Sequence, residues 1–168
     1  MDAIVFTSNT GFTEKYAKLL GEATGLPVYS LAKAKTSVPR GAEIIYLGWL
    51  MAGSVKGYKK ALQCYMVRAI GAVGMSSAEA QGRGVRKKYA IPEAKPVFVL
   101  QGGYDSSKLH GVYKFMMKMM EKTAGKKLAE KENKSPQDLD MLDLLQNGGD
   151  RVSAEKLAPV LAWYKTLS

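Results

Sequence analysis

The chain has 168 residues, with 25 Lys or Arg against 15 Asp or Glu, so its formal charge is +10 and its length suits a single domain over residues 1–168. No apolar run reaches the roughly 18–20 residues that cross a bilayer, and we expect no secretory signal because no basic region precedes a long apolar run. The charge suits acidic proteins, anionic lipid headgroups or nucleic acid, or it is ordinary solubilising charge; no nucleic-acid motif accompanies it, so nucleic acid is not an expected partner.

The first half of the chain alternates β-prone apolar runs with helical patterns. Thr13 is expected to begin the first helix, since Glu14 suits the positive end of a helix dipole, and Gly25 is expected to end it. The predicted elements are a strand over 3–7, a helix over 13–23, strands over 27–31 and 43–47, a loop over 48–53 and a helix over 58–65.

The second half continues the alternation. Gly125 is expected to end the helix that carries most of the methionines, and Ser153 is expected to cap the last helix. The predicted elements are a strand over 68–74, a long basic loop over 76–91 with at most one helical turn, a strand over 95–101, a helix over 109–123, a charged exposed segment over 126–137, and helices over 136–145 and 153–165.

Five strands that alternate with helices predict an α/β fold, in which one doubly wound, five-stranded parallel sheet has helices on both faces. Such sheets bind their ligand at the carboxyl ends of the strands, where the strand order reverses. The loop that follows the first strand is therefore the first place to look for a site.

That loop reads Ser8-Asn9-Thr10-Gly11-Phe12-Thr13. Three hydroxyls, one amide and the backbone N–H groups of a helix start form a nest that suits a dianionic phosphate, and Gly11 permits the tight turn. The loop lacks the Lys-Ser/Thr ending of nucleoside-triphosphate loops and the three-glycine spacing of dinucleotide binders. The alternative interpretation is a polar turn with a Ser/Thr helix cap.

Residues 4–13, followed by Ala17 and Leu20, resemble the flavodoxin signature in the strand, the loop and the inward side of the helix. The resemblance implies a flavodoxin-like fold that binds flavin mononucleotide, FMN. It assigns the phosphate to Ser8, Asn9, Thr10, Gly11, Phe12 and Thr13.

Two further loops extend the resemblance. Trp49 stands directly after the third predicted strand, where flavodoxins often stack a tryptophan on the isoalloxazine ring, and the alternative is an ordinary core or surface tryptophan. After the fourth strand, Ser76 and Ser77 offer hydrogen bonds to the pyrimidine edge. The resemblance thus adds these candidate FMN contacts: Trp49, Leu50, Met51, Ala52, Gly53, Met75, Ser76 and Ser77.

The chain departs from electron-carrier flavodoxins in two places. Leu50 stands where many of them have glycine, and leucine takes positive φ only at a cost, which favours two-electron over one-electron chemistry. The tyrosine expected soon after Ser77 is absent, with Ala78 and Glu79 in that region, and Tyr89 is only a distant substitute.

A narrower resemblance covers much of the chain. Residues 48–55 with Tyr58 and Leu62, residues 102–104, and residues 113–120 resemble the menaquinone-dependent protoporphyrinogen oxidases that are built on a flavodoxin domain. This likeness implies kinship among flavodoxin-domain proteins. It makes a redox partner protein, or a small electron acceptor such as a quinone, the expected partner.

Two basic segments have open interpretations. The helix over 109–123 has methionines at helical spacing and lysines four residues apart; the favoured interpretation packs the methionines into the core, and the other is peripheral contact with a membrane or a partner groove. Arg83, Arg86, Lys87 and Lys88 share a predicted loop with Ser76 and are expected near the flavin edge, where they attract an anionic partner or are simply exposed charge.

The chain has one cysteine and one histidine, which limits other chemistry. Cys64 has no internal disulfide partner, so a cytoplasmic location is expected, and a zinc site is not. Cys64 is predicted to be a small core residue within a helix and His110 to begin a helix at the surface, and no catalytic acid–base pair is identified.

The sequence therefore predicts an FMN-binding, flavodoxin-like redox protein that transfers electrons or acts as a flavin-dependent oxidoreductase. The alternative is a cofactor-free flavodoxin-like domain that uses its basic surface for membrane or protein interaction.

Overall fold

The centre of the computed structural model, which describes residues 1–76 and 79–167, is a parallel β-sheet. The strands are β1 (Ala3–Thr7), β2 (Val28–Ser30), β3 (Glu43–Met51), β4 (Ser54–Val55), β5 (Met66–Gly74), β6 (Val97–Gln101), β7 (Gly103–Tyr104) and β8 (Gly149–Asp150). Within the described residues, five of them run parallel in the order β2-β1-β3-β5-β6, while β4 forms an antiparallel hairpin with β3 and β7 pairs with β8. The strand order reverses between β1 and β3, where doubly wound sheets bind ligands.

Helices cover both faces of this sheet. They are α1 (Phe12–Thr24), α2 (Leu31–Ser37), α3 (Tyr58–Leu62), α4 (Glu79–Tyr89), α5 (Gly111–Met120), α6 (Lys126–Glu130), α7 (Pro136–Asn147) and α8 (Ala158–Lys165). Alternate side chains of β1 separate two cores: Ala3 and Val5 pack with α2, α3 and α4, whereas Ile4 and Phe6 pack with α1 and α8. The predicted doubly wound α/β architecture, of the flavodoxin-like class, is confirmed.

The segment 48–53, predicted as a loop, instead continues β3 to Met51 and turns back into β4. The turn residues Ala52 and Gly53 have φ values of 47° and 68°, the positive pair that a tight type I′ hairpin turn requires. Gly48 weakened the prediction of a strand here, because glycine is rare in strand interiors. It is needed here, since a Cβ at Gly48 would lie 2.6 Å from the carbonyl oxygen of Lys56 on the returning chain.

The basic segment predicted as a loop over 76–91 contains the three-turn helix α4, so that prediction was wrong. Gly82 and Gly84 weaken the helical signal, and Val85 is the one fully buried residue of this helix, so little apolar periodicity is visible. The positions of the charged residues did indicate a helix. Glu79 lies in the first turn and Arg86, Lys87 and Lys88 lie in the last, which matches the helix dipole.

The helix predicted over 109–123 begins at Gly111 and does not end at Gly125. A π-helical turn over Glu121–Gly125 leads directly into α6, and Gly125 keeps right-handed helical angles. A Cβ there would sit 3.6 Å from Leu145 Cδ1 of α7, which is ordinary van der Waals contact, so the packing does not require glycine at this position. The favoured burial of the methionines was also wrong in part: Met117 and Met120 are half-buried, but Met116 and Met119 are 42% and 49% exposed.

The last helix does not run from Ser153. A 3-10 turn covers Ala154–Leu157, α8 begins at Ala158, and the Ser153 side chain makes no capping bond. Pro159 explains the boundary, because proline lacks an N–H and is tolerated in an α-helix only within the first turn. The predicted helix over 136–145 is confirmed as α7, with a capping box formed by Ser135 and Asp138.

Two single-residue predictions have different outcomes. Cys64 is half-buried against the core but lies in the turn after α3, which ends at Leu62, and not within a helix. His110 is exposed and precedes the first residue of α5, as predicted, although its side chain forms no capping bond.

Candidate functional site

A cavity of about 650 Å³ lies at the carboxyl ends of the central strands, beside the point where the strand order reverses. Its lining comes from the loop after β1, the β3–β4 hairpin, the end of β5, the start of α4, and α5 with α7 above. Among the described residues, no Lys, Arg, His, Asp or Glu lines it. The cavity is therefore suited to a largely apolar ligand held by uncharged hydrogen-bonding groups.

The loop after β1 presents free backbone donors to this cavity. Gly11, with φ of 97°, is the residue at which the chain enters α1, and its N–H donates to Ser8 Oγ at 3.1 Å. The helical hydrogen bonds begin with the Lys15 N–H, which donates to the Gly11 carbonyl at 3.0 Å. The N–H groups of the three residues between therefore have no acceptor within the helix, and the helix dipole adds positive potential there.

The side chains of the loop divide by role. Asn9, Thr10, Phe12 and Thr13 line the cavity, whereas Ser8 and Gly11 do not. Thr13 is only 1% exposed, and within the described part of the chain its hydroxyl has no hydrogen-bond partner. Its oxygen is not among the fully buried atoms, so the hydroxyl is an accessible donor for an anion at this helix start.

Trp49 does not follow the third strand but lies within it, where it pairs with Val73 of β5. Its half-buried indole meets the ring of Tyr113 edge-on, with centroids 5.1 Å apart. Lys56 Nζ lies 5.6 Å from the centroid of each ring. Both rings line the cavity, so a flat ligand has an aromatic wall that is partly supplied by α5.

The remaining candidate contacts on the hairpin all line the same cavity: Leu50, Met51, Ala52 and Gly53. Leu50 pairs with Val55 and Met51 pairs with Ser54, so this rim is part of the sheet and not a free loop. The Trp49 carbonyl also accepts a hydrogen bond from the Lys56 N–H at 3.0 Å.

The third predicted loop contributes less. Met75 lines the cavity, and its carbonyl accepts a hydrogen bond from Gln101 Nε2 at 3.1 Å. Ser76 does not line it, and Ser77 and Ala78 lie outside the described residues. Tyr89 is also away from the cavity, because its ring meets Tyr58 edge-on at 5.0 Å.

The predicted basic cluster is spread along α4. Lys88 Nζ donates to the Ala52 carbonyl at 3.0 Å, which places it behind the hairpin turn. Arg86 faces the segment before β6, where it donates to the carbonyls of Pro92 and Lys95. Neither these two residues nor Arg83 and Lys87 line the cavity, so a direct role at its ligand is not supported.

Sequence analysis did not identify Gln81, which lines the cavity from the first turn of α4. Its side-chain Oε1 is buried and has no hydrogen-bond partner. Such an orphaned carbonyl costs about 1–3 kcal/mol, so a donor from a ligand is favoured beside it. If the charges at its two ends had been used to predict α4, Gln81 would have been placed in the first turn of that helix, near Met75.

The roof of the cavity was also missed. Met116, Met117 and Met120 of α5 line it together with Met141 of α7. Tyr104 fastens this roof to β7, because its hydroxyl donates to Glu121 Oε1 at 2.6 Å. Burial and this carboxylate raise the pKa of Tyr104 above its usual value, so the hydroxyl keeps the proton that it donates.

An ion cluster holds α7 against the end of β6. Arg151 donates to Asp140 Oδ1 at 2.9 Å and also pairs with Asp143, and the hydrogen bonds from Arg151 lower the pKa of Asp140. Gln101 at the end of β6 donates to the other oxygen of Asp140. Helix α7, which contributes Met141 to the roof of the cavity, is therefore held against the end of β6 in the sheet.

The strand order and the two helical layers define a flavodoxin-like α/β protein. The chain matches no model of a protein family, no curated protein and no solved structure. Within residues 1–76 and 79–167, no helix is both long and apolar enough to cross a bilayer, and no group of three metal-ligating side chains is found.

Proposed function

We propose that this chain is an FMN-binding redox protein, which transfers electrons or catalyses a flavin-dependent oxidation or reduction. The observation that carries the proposal is the combination, in one cavity, of unpaired donors at the start of α1 with the aromatic ring of Trp49. Its volume of about 650 Å³ lies within the range of roughly 300–1,000 Å³ that is usual for cofactor sites.

The phosphate would be held at the start of α1. The N–H groups of Phe12, Thr13 and Glu14 and the hydroxyls of Thr10 and Thr13 are the available donors. Because no cationic side chain among the described residues lines the cavity, these dipoles and the helix dipole would offset the charge of a dianion.

The ring would lie in the apolar part of the cavity, where Trp49 and Tyr113 offer aromatic surface and Met117 and Met120 limit the access of water. FMN supplies the redox chemistry when bound, and the chain orients the ring and sets its surroundings. Gln81 Oε1 is an acceptor suited to a ring N–H.

The β3–β4 hairpin favours two-electron exchange. The peptides of Leu50 and Met51 are held by the antiparallel ladder with β4, so reorienting them as the charge of the ring changes would break backbone hydrogen bonds. The expected electron partner is a small acceptor such as a quinone or a redox protein, and a cytoplasmic location stays a prediction.

Titration with FMN, followed by the quenching of flavin fluorescence, tests this proposal. We expect saturable quenching that Thr13→Val and Trp49→Ala both weaken, while the matched variants Thr36→Val on exposed α2 and Trp163→Phe on α8 bind like the wild type. Riboflavin separates the two ends of the ligand: Thr13→Val should weaken FMN much more than riboflavin, and Trp49→Ala should weaken both.

If the folded wild-type chain shows no saturable quenching, the flavin proposal is wrong and the cofactor-free domain is favoured. If FMN binds, stopped-flow mixing of the loaded protein with NADH, NADPH and quinones identifies the reaction class.

A further inference from the structure

Helix α5 carries an apolar ridge that faces solvent. The ridge consists of Val112, Phe115, Met116 and Met119, which are 62%, 65%, 42% and 49% exposed. Their spacing of three, four and seven residues from Val112 places all four along one side of the helix. Contiguous exposed apolar side chains of this size usually mark a contact surface.

The ridge is not the side by which α5 packs on the protein. The inward side consists of Tyr113 and Met117, which pack against the small core of Tyr104, Leu109 and Leu144. Because the two sides differ, burial of the ridge is not required for the fold, and no described segment of this chain covers it.

A row of lysines runs beside the ridge. Lys114 and Lys118 lie on the next face of α5 and Lys122 follows in the π-helical turn, and among the described residues none of these three lysines forms an ion pair. Lys114 and Lys118 also line a second cavity with Lys15 and Lys108 and with the carboxylates of Asp105, Glu121 and Asp150, so carboxylates partly offset the row, while the whole chain carries a formal charge of +10. An apolar partner that also carries anionic groups therefore suits the ridge and the lysines beside it.

The apolar ridge and the lysines beside it distinguish between two possible partners, a second copy of the chain and a lipid bilayer. A second copy packed on the same ridge would bring two lysine rows together, and such like charges oppose association. The ridge lies on the exposed side of a single helix, which suits a soft apolar layer that side chains can enter. Helices with this division of residues lie in the interface of anionic bilayers, and their lysines reach the headgroups.

We propose that α5 docks this protein on the surface of an anionic phospholipid bilayer. The ridge enters the boundary between headgroups and acyl chains, and the three lysines contact lipid phosphates. Met116 belongs both to the ridge and to the lining of the 650 Å³ cavity, so the docked face adjoins the cavity. The inference does not depend on the identity of the ligand in that cavity.

Sedimentation with vesicles tests the proposal. We expect the wild-type chain to bind vesicles of phosphatidylcholine with phosphatidylglycerol at low salt, and to bind vesicles of phosphatidylcholine alone far more weakly. The double variant Phe115→Ser with Met119→Ser should lower the partition coefficient about tenfold or more. Lys114→Gln with Lys118→Gln should weaken binding and reduce its dependence on salt.

A matched control removes exposed apolar side chains elsewhere. Leu62 and Met66 are 44% and 53% exposed near the end of α3 and the start of β5, and their double serine variant should bind vesicles like the wild type. Circular dichroism and the unfolding midpoint establish that each variant is folded.

A reporter locates the contact. Phe115→Trp should show blue-shifted emission and quenching by brominated acyl chains on anionic vesicles, and Leu62→Trp should show neither. The proposal is overturned if the wild type does not sediment with anionic vesicles at low salt, or if the ridge variant binds as strongly as the control. It is equally overturned if sedimentation velocity finds a dimer that Phe115→Ser dissociates.

Discussion

The indole of Trp49 stands edge-on to the ring of Tyr113 at an angle of 84°, and this contact joins the third strand to helix α5 beside the cavity. The residues are 64 positions apart in the chain, so the contact is a product of the tertiary fold. It has direct consequences for the stability of the roof.

Replacing Tyr113 with leucine should loosen α5 while keeping an apolar side chain. We expect a loss of about 0.5–1.5 kcal/mol in the free energy of unfolding, because an edge-on aromatic pair contributes that much beyond its buried area. Urea unfolding measures the loss, and the emission of Trp49 should move to longer wavelength. Phe98→Leu, which alters the looser pair with Trp163 at 6.2 Å, is the control and should leave the surroundings of Trp49 unchanged.

The hairpin turn offers a stabilising substitution. Ala52 has φ of 47°, where a Cβ costs roughly 1–2 kcal/mol and glycine does not pay that cost. Ala52→Gly should therefore raise the free energy of unfolding by about 1 kcal/mol, as measured by urea unfolding. Ala129→Gly within α6, where backbone angles are helical, should have the opposite sign, and a destabilised Ala52→Gly protein would contradict the turn assignment.

Gly57 tests close packing behind the same hairpin. A Cβ at this position would lie 2.1 Å from Tyr46 Oη and 2.5 Å from Thr7 Oγ1, and φ is +81°. Gly57→Ala should cost at least about 3 kcal/mol, since it combines an unfavourable φ with overpacking. Gly25→Ala shares the positive φ of 73° but has no atom within 4 Å of its Cβ, so a loss of about 1–2 kcal/mol is expected there. Equal losses in the two variants would refute the packing argument.

Tyr46 makes the stability depend on alkaline pH. Its hydroxyl hydrogen-bonds with Thr7 Oγ1 at 2.8 Å and with the Lys56 carbonyl at 2.7 Å, and burial raises the pKa of Tyr46 from 10.0 to about 12. Because the folded state favours the protonated phenol, this contribution is complete below pH 10 and is lost as the pH rises from about 10 to about 12. Tyr46→Phe should lower stability at pH 7 by about 1–2 kcal/mol and reduce this alkaline decline, of which a part remains because burial also raises the pKa of Tyr16 to about 12.

Stability measured across that pH range by urea unfolding checks the assignment. Tyr29→Phe, for which the ring is only half-buried, is the control. An unchanged alkaline slope in Tyr46→Phe would mean that another group causes the decline.

Gln81→Leu should have opposite effects on the stability of the ligand-free chain and on FMN binding. Removing the orphaned carbonyl should stabilise the ligand-free chain by about 1–3 kcal/mol, while removal of an acceptor for a ring N–H should weaken FMN binding. Thermal unfolding without ligand measures the first effect, and the FMN titration measures the second. Gln146→Leu on the exposed side of α7 should change neither, and a destabilised Gln81→Leu protein would argue that Oε1 is already satisfied.

The order of the five parallel strands along the chain was determined by the sequence itself. The apolar runs over 3–7 and 43–47 and the spacing of Tyr16, Ala17 and Leu20 predict β1, β3 and α1, because each pattern describes the burial of one continuous segment. The donor-rich loop after β1 was found for the same reason, since its amides and hydroxyls are adjacent in the chain.

Only the tertiary structure determined which other parts of the chain pack beside that loop. The hairpin with Ala52, helix α4 with Gln81, and the contact between Trp49 and Tyr113 join parts of the chain whose local patterns are weak or ambiguous. Methionines at helical spacing predict an apolar side of α5. The spacing does not reveal whether another part of the chain covers that side. Burial depends on contacts between distant residues, and the fold leaves Phe115 and Met119 exposed while Met117 and Met120 are half-buried.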